Sequence, residues 1–329
     1  MDEPHRSEQS GPTTGEYARF GPWVDEVTSA DELPRLYRDH PIDFLAALLV
    51  LKVPRNIARR DATPDMDLYD HVVVLEHDRL TVLSRIVAGA GRRDGSGWPY
   101  DVRTVPVPDV VAVRDVVSLL DATLTVHARD GALISLRYNG SARANVDRLV
   151  NALHALIAVG DQGTVGGALL AAVGVRPADE RGLDLGSADV SLVSDFRAAA
   201  RANPRLGAWA WHGRLVVAPS GGPVVGSVRR LAHVISPMTL HAAVVGGDER
   251  VLEVFGRHEW LVRGAAPVHS SSRLVVPWGA LDGLTIAPHP GYVGAMDVSL
   301  TAGAATLGLV VPEESPALEL FERACAAVR

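Results

Sequence analysis

The spacing of hydrophobic positions changes several times along the chain, and each change predicts a different kind of element. Residues 1–16 are polar, rich in Ser, Thr, Pro, Gly and Glu, and predict a disordered tail. Residues 17–69 carry apolar residues in short clusters and predict two or three helical pieces. Ser29-Ala-Asp-Glu32 offers an N-cap with acids in the first turn, and Ile42 to Lys52 predicts a short helix stopped by Pro54. From Asp70 the pattern turns to β-branched runs: His71–Leu75 and Leu80–Val87, then the long valine-rich segment Val102–Val117 broken at Pro106 and Pro108. Leu124–His127 and Leu133–Tyr138 predict a hairpin across Asp130-Gly131. The period then becomes helical, with Val146, Leu149, Val150, Leu153, Leu156 and Ile157 on one face.

Residues 159–186 are Gly- and Ala-rich and predict a linker with one short helix. Asp189–Ala202 predicts a helix ended by Asn203-Pro204, and Trp209–Val217 a strand before the loop Pro219–Pro223. From residue 239 the earlier order recurs. Leu240–Val245 and Arg250–Phe255 match the opening strand pair, and Arg273–Pro277 echoes Arg103–Pro106. Val298–Leu300 answers Leu124–Val126, and Leu307, Leu309 and Val311 answer Ile134, Leu136 and Tyr138. Leu318, Phe321 and Cys325 then stand on a terminal helix like Val146, Leu149 and Leu153. The expected fold class is therefore α+β: two tandem antiparallel β-barrel or sheet units, each closed by a C-terminal helix, with further N-terminal and inter-unit helices. The units span 70–158 and 187–329, the second including its preceding helix and hairpin.

A strand meander closed by one amphipathic helix resembles the bacterial pleckstrin-homology-like (PH-like) domain. Val72–Val87, Val102–Tyr138 and the helix Ala144–Ile157 carry the resemblance in the first copy, Leu240–Val328 in the second. The pattern places five or six of that family's seven strands in each copy. The resemblance implies a protein-binding or scaffolding role without catalysis. Phosphoinositide binding does not carry over, because His71–Val87 holds only Arg79 and Arg85 as basic residues beside its histidines.

Composition narrows the function classes. The 329 residues are 47% hydrophobic and 22% charged, which suits folded domains, and a net charge of −7 argues against nucleic acid as a partner. Lys52 is the single lysine among 32 basic residues, a bias that a GC-rich bacterial genome produces, so arginine abundance is no sign of phosphate recognition. One cysteine, Cys325, excludes an intrachain disulfide framework. The acidic, polar N-terminus lacks the features of a secretory signal, and cytoplasmic localisation is the expectation.

The sequence contains no Gly-x-Ser-x-Gly elbow, Walker loop or His-Glu-x-x-His. Gly89–Gly95 evokes a dinucleotide loop, but Trp98-Pro99 follows where a helix should begin. The histidines at 212, 233, 241, 258, 269 and 289 show no paired ligand spacing, so neither metal nor cofactor is expected. Arg92 and Arg93, with Trp98 and Tyr100, form the best candidate ligand contact, since guanidinium can grip an oxyanion while aromatics stack. His258-Glu259-Trp260 reads as a surface patch or as one strand with alternating faces. Two other readings compete with the scaffold. Phe44, Lys52, Arg55, Arg59 and Arg60 could contact anionic lipid, or the arginines could pair with Asp61, Asp65, Asp67 and Asp70. Trp209, Trp211, His212 and Trp278 could line a cleft between the two units of a non-motif enzyme.

Overall fold

β-branched runs become strands wherever both of their faces can be covered, and antiparallel pairing dominates this chain. The computed structural model describes residues 12–87, 97–158, 161–174, 182–220, 236–264 and 270–328. The chain divides into two compact units: Met1–Pro106 with Leu136–Leu149, and Val107–Ser135 with Val150–Arg329.

In the first unit a short helix, α1 (Pro12–Arg19), precedes β1 (Asp25–Glu26), β2 (Leu49–Pro54), β3 (Tyr69–Leu75), β4 (Arg79–Arg85) and β5 (Tyr100–Pro106). They form one antiparallel sheet in the order β1-β2-β3-β4-β5, with Val50 opposite Val74 and Val72 opposite Leu83. Val50, Val72, Val74 and Leu83 pack with Phe20, Tyr37, Leu68 and Tyr100 into one core. Each such side chain contributes about 1.5–3 kcal/mol through burial. The helix expected over 42–52 is absent. Asp43 Oδ1 accepts from the amides of Leu45 (2.9 Å) and Ala46 (3.2 Å), which closes a turn, and β2 begins at Leu49. Pairing on both sides of β2 outweighs the helical preference of the Leu/Ala run before it. Around Ser29 the expected helix is a single 3-10 turn, Ala30–Glu32, whose Ser29 makes no side-chain cap.

The second unit opens with β6 (Val110–Ser118) and β7 (Asp121–Ala128). β8 (Leu133–Asn139) and α2 (Arg143–Ile157) each run across the boundary between the units. Gly131, at φ +88°, makes the predicted Asp-Gly turn, and Asp130 Oδ1 accepts from the Ala132 amide. α3 (Gly163–Val173) and α4 (Val190–Ala202) follow, then β9 (Gly207–His212), β10 (Leu215–Pro219), β11 (Met238–Leu240), β12 (Ala243–Gly247) and β13 (Val251–Gly256). The chain finishes with β14 (Leu261–Arg263), β15 (Ser270–Pro277), β16 (Gly283–Pro288), β17 (Tyr292–Val293), β18 (Ala295–Ala302), β19 (Ala305–Pro312) and α5 (Pro316–Val328). The single strand expected over 209–217 is two strands, split at Gly213-Arg214.

Three further antiparallel sheets result: seven strands in the order β8-β7-β6-β15-β13-β12-β9, four in the order β14-β11-β10-β17, and three in the order β16-β18-β19. The fold is α+β, and none of these sheets closes into a barrel among the described residues. β15 lies mid-sheet, paired to β13 on one side and to β6 on the other through Val113↔Val275 to Ser118↔Ser270. That ladder explains why the unit boundary falls after Pro106, inside the stretch 70–158. α5 buries Leu318, Phe321 and Ala324 in a core shared with Leu252, Val254, Trp278 and Leu309. Cys325 points its Sγ at the Leu284 carbonyl, 3.8 Å away. No helix among the described residues is long and apolar enough to cross a membrane.

Candidate functional site

Proline ends two long strands, and each time the chain then makes one 3-10 turn: Val107–Asp109 after β5 and Trp278–Ala280 after β15. The second turn is held rigidly. Trp278 is buried, donates its indole N–H to the Asp248 carbonyl (3.0 Å), and donates its amide to Arg250 O (3.0 Å). α3 presses directly on it: a Cβ at Gly166 would stand 2.5 Å from Trp278 O, and one at Gly279 would stand 2.3 Å from Asp161 O. Glycine is needed at both positions by close backbone approach.

Beside this turn, inside the second unit, lies a cavity of about 400 Å³. Val107, Pro108, Ile157 and Pro277 supply apolar wall, and Arg129, Arg250 and Asp161 supply charge. Backbone bonds fix where both arginines start. Arg129 donates its amide to Asp109 O (2.8 Å) and accepts from Ala304 N (2.9 Å). Gly303, at φ +56°, leaves no room for a Cβ against Arg129 O. Arg250 donates its amide to Asp248 Oδ1 (2.8 Å), and its guanidinium reaches only the Ala158 carbonyl, at 3.5 Å. Neither guanidinium, nor the Asp161 carboxylate, has an ion-pair partner among the described residues.

Two ionic clusters are buried in the same unit. Asp189, fully buried before α4, receives Arg214 through Nε (2.6 Å) and Nη2 (3.1 Å), and Arg257 through Nε (2.8 Å) and Nη2 (2.7 Å). Burial pushes the Asp189 carboxyl up, but the two guanidiniums more than offset it and hold it below the usual range. Next to this cluster stands His241, fully buried, with no hydrogen-bond partner at either ring nitrogen among the described residues. Burial, then the positive charge of Arg214, lowers its pKa to about 4. In the second cluster Arg273 donates to Glu253 Oε2 (2.7 Å) and to Asn151 Oδ1 (2.7 Å). His154 Nε2 lies 3.4 Å from Glu253 Oε1 and 3.7 Å from Asp248 Oδ2. Burial keeps His154 below its ordinary pKa despite both carboxylates. These clusters hold β13, β15, α2 and the start of α4 in place. No group of three or more His, Cys, Asp or Glu among the described residues could hold a metal ion.

The residues singled out from sequence fall into several places. Trp98 and Tyr100 stack on each other (5.6 Å, 13°), and the Tyr100 hydroxyl meets His40 Nδ1 at 3.2 Å. Burial pushes the Tyr100 phenol up to about 12. Arg92 and Arg93 lie outside the described residues. Trp278 lines the cavity, and Trp209 stacks on it (5.6 Å, 19°). Trp211 packs against the cluster of Leu192, Phe196 and Phe255. His212 is buried, with Nδ1 at 3.1 Å from Gly213 O, and burial lowers its pKa. The indole of Trp260 donates to Gly308 O (3.1 Å).

Phe44 packs on the first unit's core. Lys52 donates to Glu32 O (3.4 Å) and stands over the Tyr69 ring, while Arg55 donates to Asp67 O (3.3 Å). Arg59 donates to the Tyr17 and Phe20 carbonyls and lies over the Tyr17 ring, and Arg60 sits 3.7 Å from Asp61. Sequence reasoning missed Asp189, Arg214, Arg257, His154 and Glu253. One signal was present: Glu253 interrupts an apolar strand run and Arg273 stands directly before one, which marks a buried partnered charge.

Comparison with known proteins adds no family: no family model, curated protein or solved structure matches this chain.

Proposed function

We propose that this chain is a non-enzymatic binding or scaffold protein built from two tandem PH-like stretches. One observation supports the reading above all others, the repetition of element order. In the first stretch four consecutive antiparallel strands, β2-β3-β4-β5, end at Pro106 and a 3-10 turn. Three strands, β6-β7-β8, and the helix α2 follow. In the second, β9-β12-β13-β15 end at Pro277 and a 3-10 turn, then come β16-β18-β19 and α5. The strands β10, β11, β14 and β17 are additions of the second stretch, and they pair with one another. Seven strands and a closing helix per copy is the PH-like pattern.

Binding fits the site chemistry better than catalysis. The buried carboxylates of Asp189 and Glu253 are committed to arginines, and the cavity offers two arginines and an aspartate with no hydroxyl, thiol, amine or imidazole among its lining residues. Protein is favoured over anionic lipid as the partner, because Lys52, Arg55, Arg59 and Arg60 each have local partners. The test is affinity capture of the intact chain from its native lysate, followed by reconstitution from purified components. The expected result is a partner recovered near stoichiometrically that rebinds the purified chain at fixed ratio. Recovery no higher than with the tag alone overturns the proposal.

A further inference from the structure

We propose that the cavity beside the Trp278–Ala280 turn is a binding site for a small organic carboxylate with a compact apolar body. The volume, about 400 Å³, is in the range of small-molecule sites and admits a ligand of roughly ten non-hydrogen atoms. The wall is apolar where Val107, Pro108, Ile157 and Pro277 meet it, so a hydrocarbon body gains by leaving water. The charge is placed rather than incidental. Arg129 is held by backbone bonds to Asp109 and Ala304, and Arg250 by its amide bond to Asp248. Four arginines of this unit find carboxylates: Arg205 with Glu249, Arg214 and Arg257 with Asp189, Arg273 with Glu253. Arg129 and Arg250 do not, among the described residues, and both line the same cavity.

The third charged group selects the anion. Asp161 shares the lining, so two guanidiniums and one carboxylate leave a net charge of about +1. That balance suits a monoanion, and it disfavours a phosphate dianion through repulsion from Asp161. A guanidinium grips a carboxylate with two parallel N–H donors, the geometry that makes such pairs strong. The inference rests on the cavity's own lining, so it goes beyond the scaffold reading without depending on it.

The test is calorimetric titration of the full-length chain with hexanoate, hexyl phosphate, hexylammonium and inorganic phosphate at low ionic strength. Hexanoate is expected to bind with a one-to-one endpoint, at least fivefold more tightly than hexyl phosphate. Hexylammonium and inorganic phosphate are expected to show no saturable heat. Arg129→Gln and Arg250→Gln each weaken hexanoate about three- to tenfold, while Asp161→Asn tightens it about two- to fivefold. All three side chains are surface-accessible, and an unchanged Tm for each variant separates loss of the site from loss of the fold. The proposal is overturned if hexanoate shows no saturable binding, if hexyl phosphate binds more tightly, or if affinity survives in the double variant Arg129→Gln/Arg250→Gln. Failure of partner capture leaves these results untouched, so the two readings fail separately.

Discussion

Replacing Asp189 by alanine is expected to lower the free energy of unfolding by about 3–5 kcal/mol, the cost of leaving a buried charge uncompensated. Here the stranded groups are two guanidiniums. Arg257 is almost wholly buried and Arg214 mostly so, and both also donate to the Ala188 carbonyl, at 2.9 and 3.1 Å. Removing the carboxylate leaves both guanidiniums facing the neutral Ala188 carbonyl, with the neutral Ser270 carbonyl also accepting from Arg257, and takes away the negative charge that balanced them. The cluster ties the start of α4 to the β9–β10 turn and the end of β13, so its loss also loosens three elements at once. Urea titration followed by circular dichroism measures the effect. A shift below about 1 kcal/mol, with the slope unchanged, would mean that water reaches both arginines readily.

Acid is the second large lever, and its sign is fixed by burial. In the unfolded chain His241 titrates near 6.5, whereas in the folded chain its pKa is lowered to about 4. Between those values the unfolded chain binds a proton that the folded chain refuses, so stability falls as pH drops from about 6.5 and levels off below about 4. The loss from this residue alone is about 3 kcal/mol. The charged and titratable groups facing His241 are Arg214, Arg257, Asp189 and His258, and protonation of His241 would add a cation beside two guanidiniums. His71, kept low chiefly by burial, pushes in the same direction. The depressed carboxyl of Asp189 contributes at lower pH, through its own titration. His241→Leu removes two unpartnered ring nitrogens and the proton-binding difference, while the backbone bond to Trp260 O stays available. It is expected to shrink the stability loss between pH 7 and pH 4.5 by about 2–3 kcal/mol. An acid profile equal to that of the native chain would contradict this account.

Local chemistry explains which parts of the fold were legible. The Asp130-Gly131 turn, the prolines ending β5 and β15, and the apolar stripes of α2 and α5 each obey a rule that acts within a few residues, and each stands where the pattern predicts. β2 was hidden because Phe44-Leu-Ala-Ala-Leu-Leu favours helix locally, while the strand is specified by partners in β1 and β3. β16 was hidden for a related reason: Gly283 and Pro288, poor strand formers, bound a short edge strand that pairs with β18. The candidate sites were less legible still. Asp189 finds Arg257 across 68 positions and Arg273 finds Asn151 across 122, and no spacing rule announces such pairs. The cavity, too, gathers residues from 107 to 280.

The β6–β15 ladder is where the first stretch's valine-rich strand joins the second stretch's sheet, and the scaffold reading depends on it. Disulfide trapping tests it directly. In a Cys325→Ser background, Val117→Cys with Ser271→Cys places two thiols at directly opposed positions of the ladder. Val117→Cys with Ser272→Cys instead places them on opposite faces. Mild oxidation is predicted to close the first pair nearly completely and to leave the second reduced. Equal cross-linking in both pairs, or none in the first, would contradict the seven-stranded sheet on which this account of the protein stands.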